Sequence, residues 1–167
     1  PDGLCLINLL GGNSLFELRA ALIAAEQDVT GGFSPRCAPM ADIKDAGGLL
    51  GRAGFALPVA DSDRLTVTYP NMFRLMTDLR GMGEQNAMLG RLRQPTRRAV
   101  FIRAAEIYQT KFGRDDGTIP ASFEIITLTG WAPHESQQKP LRPGSGKTHL
   151  ATVIGGDSDD VGDPKQG

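Results

Sequence analysis

The side chains that do metal or thiol chemistry are few: two histidines, His134 and His149, and two cysteines, Cys5 and Cys37. Neither histidine has a cysteine or an acidic pair at ligand spacing, so the pattern predicts no metal site. A Cys–His nucleophilic pair is equally unsupported. Cys5 falls in an apolar run that predicts a buried strand, and both histidines fall in a polar C-terminal stretch. Gly144-Ser145-Gly146-Lys147-Thr148 ends like a phosphate-binding loop. The position that needs the first glycine is Leu141, however, and the residues before it are polar rather than a buried strand, so the segment is not read as one.

Three other segments carry chemistry on at least one reading. Gly11-Gly12-Asn13-Ser14 follows an apolar run and precedes a helix. It reads either as an anion-holding turn, with free backbone N–H groups at a helix start, or as a flexible turn and cap. Leu79-Arg80-Gly81-Met82-Gly83-Glu84-Gln85-Asn86 reads either as a helix stop with a surface loop or as a lid hinged at Gly81 and Gly83. Arg91, Arg93, Arg97, Arg98 and Arg103 form a local basic cluster, read as a solvated helix face or as a surface for an acidic partner.

These segments need elements to hold them. The run from Leu4 to Leu10 is continuously apolar, which suits a strand buried on both faces of a parallel sheet. Ser14 and Glu17 have the spacing of a capping box for a helix over about 15–27. A loop follows over 28–41. Asp42 then caps a second helix with Ile43, Ala46, Leu49, Leu50 and Ala53 on its apolar face, stopped at Gly54 with Phe55 packing back. Residues 57–60 and 65–69 read as two short strands or as one bent strand. Pro70-Asn71 opens a helix with Met72, Phe73, Leu75, Met76 and Leu79 inward, stopped at Gly81. Pro95-Thr96 starts another, with Val100, Phe101, Ala104, Ile107 and Tyr108 at helical spacing. Residues 121–131 form the last strand. From 134 onward the composition predicts a disordered polar tail.

Composition narrows the function classes. Apolar residues are 40% of the 167, enough for a real core, while 21 glycines and 11 prolines indicate many turns. A net charge of −1 gives no reason to expect nucleic acid. No apolar run approaches the roughly 18 residues of a membrane span, and the first strand lacks the basic flank and cleavage site of a signal peptide. Two cysteines without a disulfide pattern fit reduced thiols, and the expectation is a cytoplasmic protein. The opening Pro1-Asp2-Gly3 turn, running at once into a strand, leads us to expect the C-terminal part of a larger domain.

An ordered set of segments resembles one family. Gly12-Asn13-Ser14-Leu15-Phe16-Glu17-Leu18-Arg19 is followed by Gly31-Gly32-Phe33-Ser34-Pro35 and Leu50-Gly51-Arg52-Ala53-Gly54-Phe55. Tyr69-Pro70 comes next, then 78–86, 120–126 and Gly130-Trp131-Ala132-Pro133. In order and spacing the set is similar to the C-terminal half of class I S-adenosylmethionine-dependent methyltransferases. The nearest resemblance is to the mitochondrial and alphaproteobacterial complex I assembly factors of that fold. The malonyl-acyl-carrier-protein methyltransferases of biotin synthesis resemble it more distantly.

The resemblance implies an α/β fold: the C-terminal part of a Rossmann-like class I methyltransferase sheet, with a parallel first strand, an antiparallel last strand, and a helical cap insertion over about 71–112. The domain would end near 133. It implies S-adenosylmethionine as cofactor, held mainly by a glycine-rich loop and an acidic residue that this chain lacks, so the chain alone should bind it poorly and be inactive. The implied activity is methyl transfer to a protein or carrier-bound substrate. Arginine hydroxylation of a complex I subunit is the first alternative and a non-catalytic assembly chaperone, gripping its client through residues 72–103, the second. Substrate-side candidates on this resemblance are Asn13, Glu17, Arg19, Tyr69, Arg80 and Asn86. A guanidinium substrate would call for carboxylates, with Glu17 and Glu84 as candidates. No catalytic residue is assigned.

Overall fold

The computed structural model describes residues 2–137; the 144–148 segment, His149 and most of the expected tail lie outside them. The fold up to Pro133 is built around its last strand. The two faces of β3 (Ile119–Trp131) meet different partners. Ile119, Ala121 and Phe123 belong to one apolar cluster and Ile126 and Leu128 to another, as opposite faces of a pleated strand require. β1 (Leu4–Leu10) and β2 (Ala56–Tyr69) flank β3, giving the order β1-β3-β2. Both flanking strands are antiparallel to β3, so they run in the same direction as each other.

The last strand is antiparallel, as expected, but the described residues hold no parallel neighbour for the first strand. The partner of β1 is β3, from Leu4 opposite Trp131 to Leu10 opposite Ile125. Nor is it buried on both faces, since Leu4, Leu6 and Ile7 are 55%, 59% and 40% exposed. β1 is an edge of the described sheet, so these apolar side chains are not covered by the described residues. Cys5 is only half-buried for the same reason, and both cysteines are free.

The 56–69 segment resolves to one strand with an irregular register between Ala56 and Val59, where Leu57 takes a positive φ of 51°. The helix α2 (Ile43–Arg52) begins as expected: the Asp42 side chain accepts from the Lys44 N–H. Its Ala46 and Leu50 pack on Ile126 and Leu128, whereas Leu49 is 55% exposed. The other face of β3 carries three helices, α1 (Phe16–Thr30), α3 (Met72–Gly81) and α4 (Arg98–Phe112). Leu18, Ala21, Leu22 and Ala25 of α1 meet Val100, Ala104, Ile107 and Tyr108 of α4 in one cluster with Leu75 of α3, while Phe73 faces outward.

The expected capping box does not form. Leu15 is the N-cap of α1, at φ 54°, with no side-chain cap. The Ser14 hydroxyl instead clasps the backbone of Glu124, donating to its carbonyl at 3.1 Å and accepting from its N–H at 3.0 Å. Glu17 turns inward, 2% exposed, and accepts from the Ser122 hydroxyl at 2.6 Å and the Ser122 N–H at 3.3 Å. Side-chain contacts to β3 displace the local cap because they satisfy buried groups on both elements at once. Replacing Glu17 by alanine strands both Ser122 donors. The expected loss is about 1.5–3 kcal/mol in urea unfolding, partly restored by Glu17→Gln.

Candidate functional site

A cleft of about 590 Å³ opens beside α1. Leu15, Leu18 and Leu22 form its floor, Met76, Leu79 and Arg80 of α3 one wall, and residues 36–38 with Met40 the other. Residues 84–88 make the rim.

Each wall has a sequence reason for its position. α3 ends where Gly83 adopts a φ of 83°, with Gly83 N–H bonding to the Arg80 carbonyl and Glu84 N–H to that of Leu79. The helix ends at Gly81 as expected, with Met82 as its C-cap and Gly83 in the left-handed conformation just beyond it. The next residues leave the helix axis and become the rim. Asn86 fastens that rim across the opening: its Nδ2 donates to the Pro35 carbonyl at 2.9 Å, and its Oδ1 accepts from the Met88 N–H at 3.1 Å.

The opposite wall is held by Glu26, which is 5% exposed. Its carboxylate accepts from Arg36 Nε at 3.0 Å and Nη2 at 2.7 Å, and from Ser34 through both the hydroxyl and the N–H. Arg36 Nη1 continues to Thr96 Oγ1 at 3.0 Å. Burial by itself pushes the Glu26 carboxyl up, but the hydrogen bonds from Arg36 and Ser34 outweigh it and hold the group below the ordinary carboxylate range. Cys37 follows this clamp and lines the cleft. Burial raises its thiol against the opposing charges of Arg19 and Arg36, which keeps it protonated.

Two of the six substrate-side candidates, Arg80 and Asn86, line this cleft, and so does Glu84. Arg19 lies in a neighbouring pocket, with Nη2 donating to the Gly12 carbonyl. Glu17 does not face the cleft; both its oxygens are bound to Ser122 in the core. Tyr69, opposite Ile119 at the end of β2, packs against the helical core. Asn13 lies on the turn after β1, away from the cleft lining.

That turn is not an anion site. All four of its amides are committed: Gly11 to the Glu124 carbonyl at 2.8 Å, Gly12 to Ala41 at 3.0 Å, Asn13 to Glu124 Oε2 at 2.8 Å, and Ser14 to Gly11 at 2.9 Å. The chain supplies its own anion in Glu124, whose carboxyl is held low chiefly by the Asn13 N–H. A Cβ at 11 would fall 2.6 Å from Glu124 Oε2, so a larger residue there would have to displace that carboxylate. A turn closed in this way has no free amides left to cradle an anion.

Sequence reasoning missed Arg36, Met40 and Met88 as lining residues, and Glu26 as the clamp. One signal was present: Glu26 lies four residues after Leu22, on the apolar stripe of α1, where an acid needs a partner.

The chain is homologous to two groups of proteins, one named as arginine hydroxylases and one as O-methyltransferases. It is 46% identical over 156 residues to "Arginine-hydroxylase NDUFAF5, mitochondrial" of Dictyostelium discoideum, covering 93% of this chain and 36% of that protein. The protein of the same name in Homo sapiens is 43% identical over 145 residues, covering 87% of this chain and 42% of that one. A "Malonyl-[acyl-carrier protein] O-methyltransferase" of Xylella fastidiosa is 35% identical over 133 residues, covering 80% and 43%. The chain thus spans less than half the length of these relatives. No protein-family model matches it. The names overturn the cytoplasmic expectation: the relatives at 46% and 43% identity are mitochondrial by name, which points to the mitochondrion instead. Among the described residues, no helix is long and apolar enough to cross a membrane.

Proposed function

We propose that this chain forms the substrate-side part of a methyltransferase-fold enzyme that modifies an arginine side chain of a protein substrate, with hydroxylation in respiratory complex I assembly as the first reading. The observation that carries it is the state of the carboxylates near the cleft. Glu17 and Glu26 are buried and fully committed, while Glu84 lines the cleft and has no ion pair among the described residues. An apolar cleft with one available carboxylate on its rim suits the long aliphatic stem and terminal charge of arginine. The relatives named as arginine hydroxylases agree with this reading.

S-adenosylmethionine would be held by residues outside those described, with this chain contributing the substrate wall. Asn86 and the Glu26–Arg36 clamp keep the two sides of the cleft in place, and Leu18 and Leu22 exclude water from the stem. Methyl transfer to an acyl carrier is the second reading, favoured by the relatives named as O-methyltransferases. Mass spectrometry of an arginine-containing peptide of a complex I subunit, incubated with the intact protein and cofactor, separates the readings. A gain of one oxygen on arginine supports hydroxylation, a methyl gained instead by a malonyl-acyl-carrier protein assayed in parallel supports the second reading, and no change in either substrate with intact cofactor binding leaves a client-binding chaperone. Glu84→Gln is expected to weaken peptide binding about tenfold, the effect of removing one charge-assisted contact.

A further inference from the structure

A second pocket of about 320 Å³ lies next to the cleft, and its electrostatics differ. Its walls are mainly apolar, from Leu22, Ile23, Phe33, Pro35, Pro39 and Met88. Two guanidinium groups also line it, Arg19 and Arg36. Arg36 is neutralised, because two of its nitrogens bind the Glu26 carboxylate and a third binds Thr96. Arg19 is not. Its hydrogen bond goes to an uncharged carbonyl, that of Gly12, and it takes part in none of the ion pairs among the described residues.

Its Nε is, in addition, buried with no hydrogen-bond partner. An arginine stays protonated at any working pH, so this pocket holds a permanent, partly desolvated positive charge. Cys37, also in the lining, does not cancel it, since burial keeps the thiol neutral. A buried donor without a protein acceptor is rare in folded proteins.

We propose that this pocket is a binding site for an organic monocarboxylate with an apolar body, the carboxylate pairing with Arg19 and the body resting on Ile23, Phe33 and Met88. A carboxylate supplies the missing countercharge and accepts two N–H groups of one guanidinium, which swings slightly to present Nε. The ring and aliphatic walls favour a short alkyl or aryl acid over a hydrated anion such as phosphate. This pocket shares Leu22, Arg36, Cys37 and Met88 with the cleft, but its charge is Arg19 and not Glu84, so the proposal does not depend on the arginine reading.

The test is calorimetric titration of hexanoate, hexan-1-ol and inorganic phosphate into the full chain. Hexanoate is expected to bind, with affinity falling as salt rises, and to do so at least tenfold more tightly than either hexan-1-ol or phosphate. Arg19→Met should lose at least tenfold in hexanoate affinity, and Arg19→Lys, which keeps the charge without the paired donors, should recover part of it. A second readout needs no variant: hexanoate should slow alkylation of Cys37 while leaving Cys5 unchanged. Equal binding of hexanoate and hexan-1-ol would overturn the proposal, since the pocket would then be apolar only. So would preferential binding of phosphate, or the absence of both hexanoate binding and Cys37 protection.

Discussion

Arg36→Ala is expected to destabilise the chain by about 3–5 kcal/mol in urea unfolding, the usual effect of removing one partner of a buried ion pair. The side chains of Arg36 and Glu26 are only 16% and 7% exposed, and their closest approach is 2.7 Å. Without Arg36 the Glu26 carboxylate keeps its buried position and loses two charge-assisted hydrogen bonds. The double substitution Glu26→Leu with Arg36→Met should recover much of the loss, because it removes the stranded charge as well as the pair. The same clamp predicts a pH dependence. Glu26 has a folded pKa below its unfolded value, so it binds a proton more readily in the unfolded chain. Its contribution is therefore present above the ordinary glutamate range and lost as pH falls through the lower, folded value. Acid unfolding of Glu26→Leu, Arg36→Met should begin at lower pH than that of wild type.

Tyr108→Ala should cost a similar amount, about 3–5 kcal/mol, for a different reason. Tyr108 is fully buried at the centre of the α1–α4 cluster, its ring edge-to-face with Phe112 at 5.8 Å between centroids. Its hydroxyl donates to the Pro120 carbonyl at 2.7 Å, joining α4 to β3. Burial, and then the charge of Glu17, raises the hydroxyl's pKa and keeps it a donor. Tyr108→Phe isolates the polar part: it leaves the ring in place and gives up one hydrogen bond, an expected loss of about 1 kcal/mol. If the two variants were equally destabilised, the hydroxyl rather than the ring would be the stabilising element.

The parts of the fold that were legible are those with local causes. The Asp42 cap, the Asn71 cap of α3 and the left-handed Gly54 each depend on residues within one helical turn, and each is where its residues predict it. The helical stripes of α1 and α4 follow from burying one face of each. What was not legible depends on contacts over about a hundred residues of sequence. Ser14 and Glu17 have capping-box spacing, but Glu124 and Ser122 compete for their oxygens and win. Arg19 and Glu17 are two residues apart on one helix, yet one lines a pocket and the other is locked in the core. Arg80 and Asn86 were found for the cleft because the glycine-marked segment that carries them turns locally at Gly83. Arg36, which completes the opposite wall, gave no such local signal.

The central claim is that the 590 Å³ cleft receives an arginine side chain and that Glu84 meets its charge. The most direct measurement is calorimetric titration of an arginine-containing peptide, and of the same peptide with citrulline in place of arginine, into the intact protein and its Glu84→Gln variant. The account predicts that wild type prefers arginine to citrulline by about tenfold and that Glu84→Gln abolishes that preference while still binding citrulline as wild type does. Equal affinity of wild type for the two peptides, or an arginine preference that survives Glu84→Gln, would contradict it.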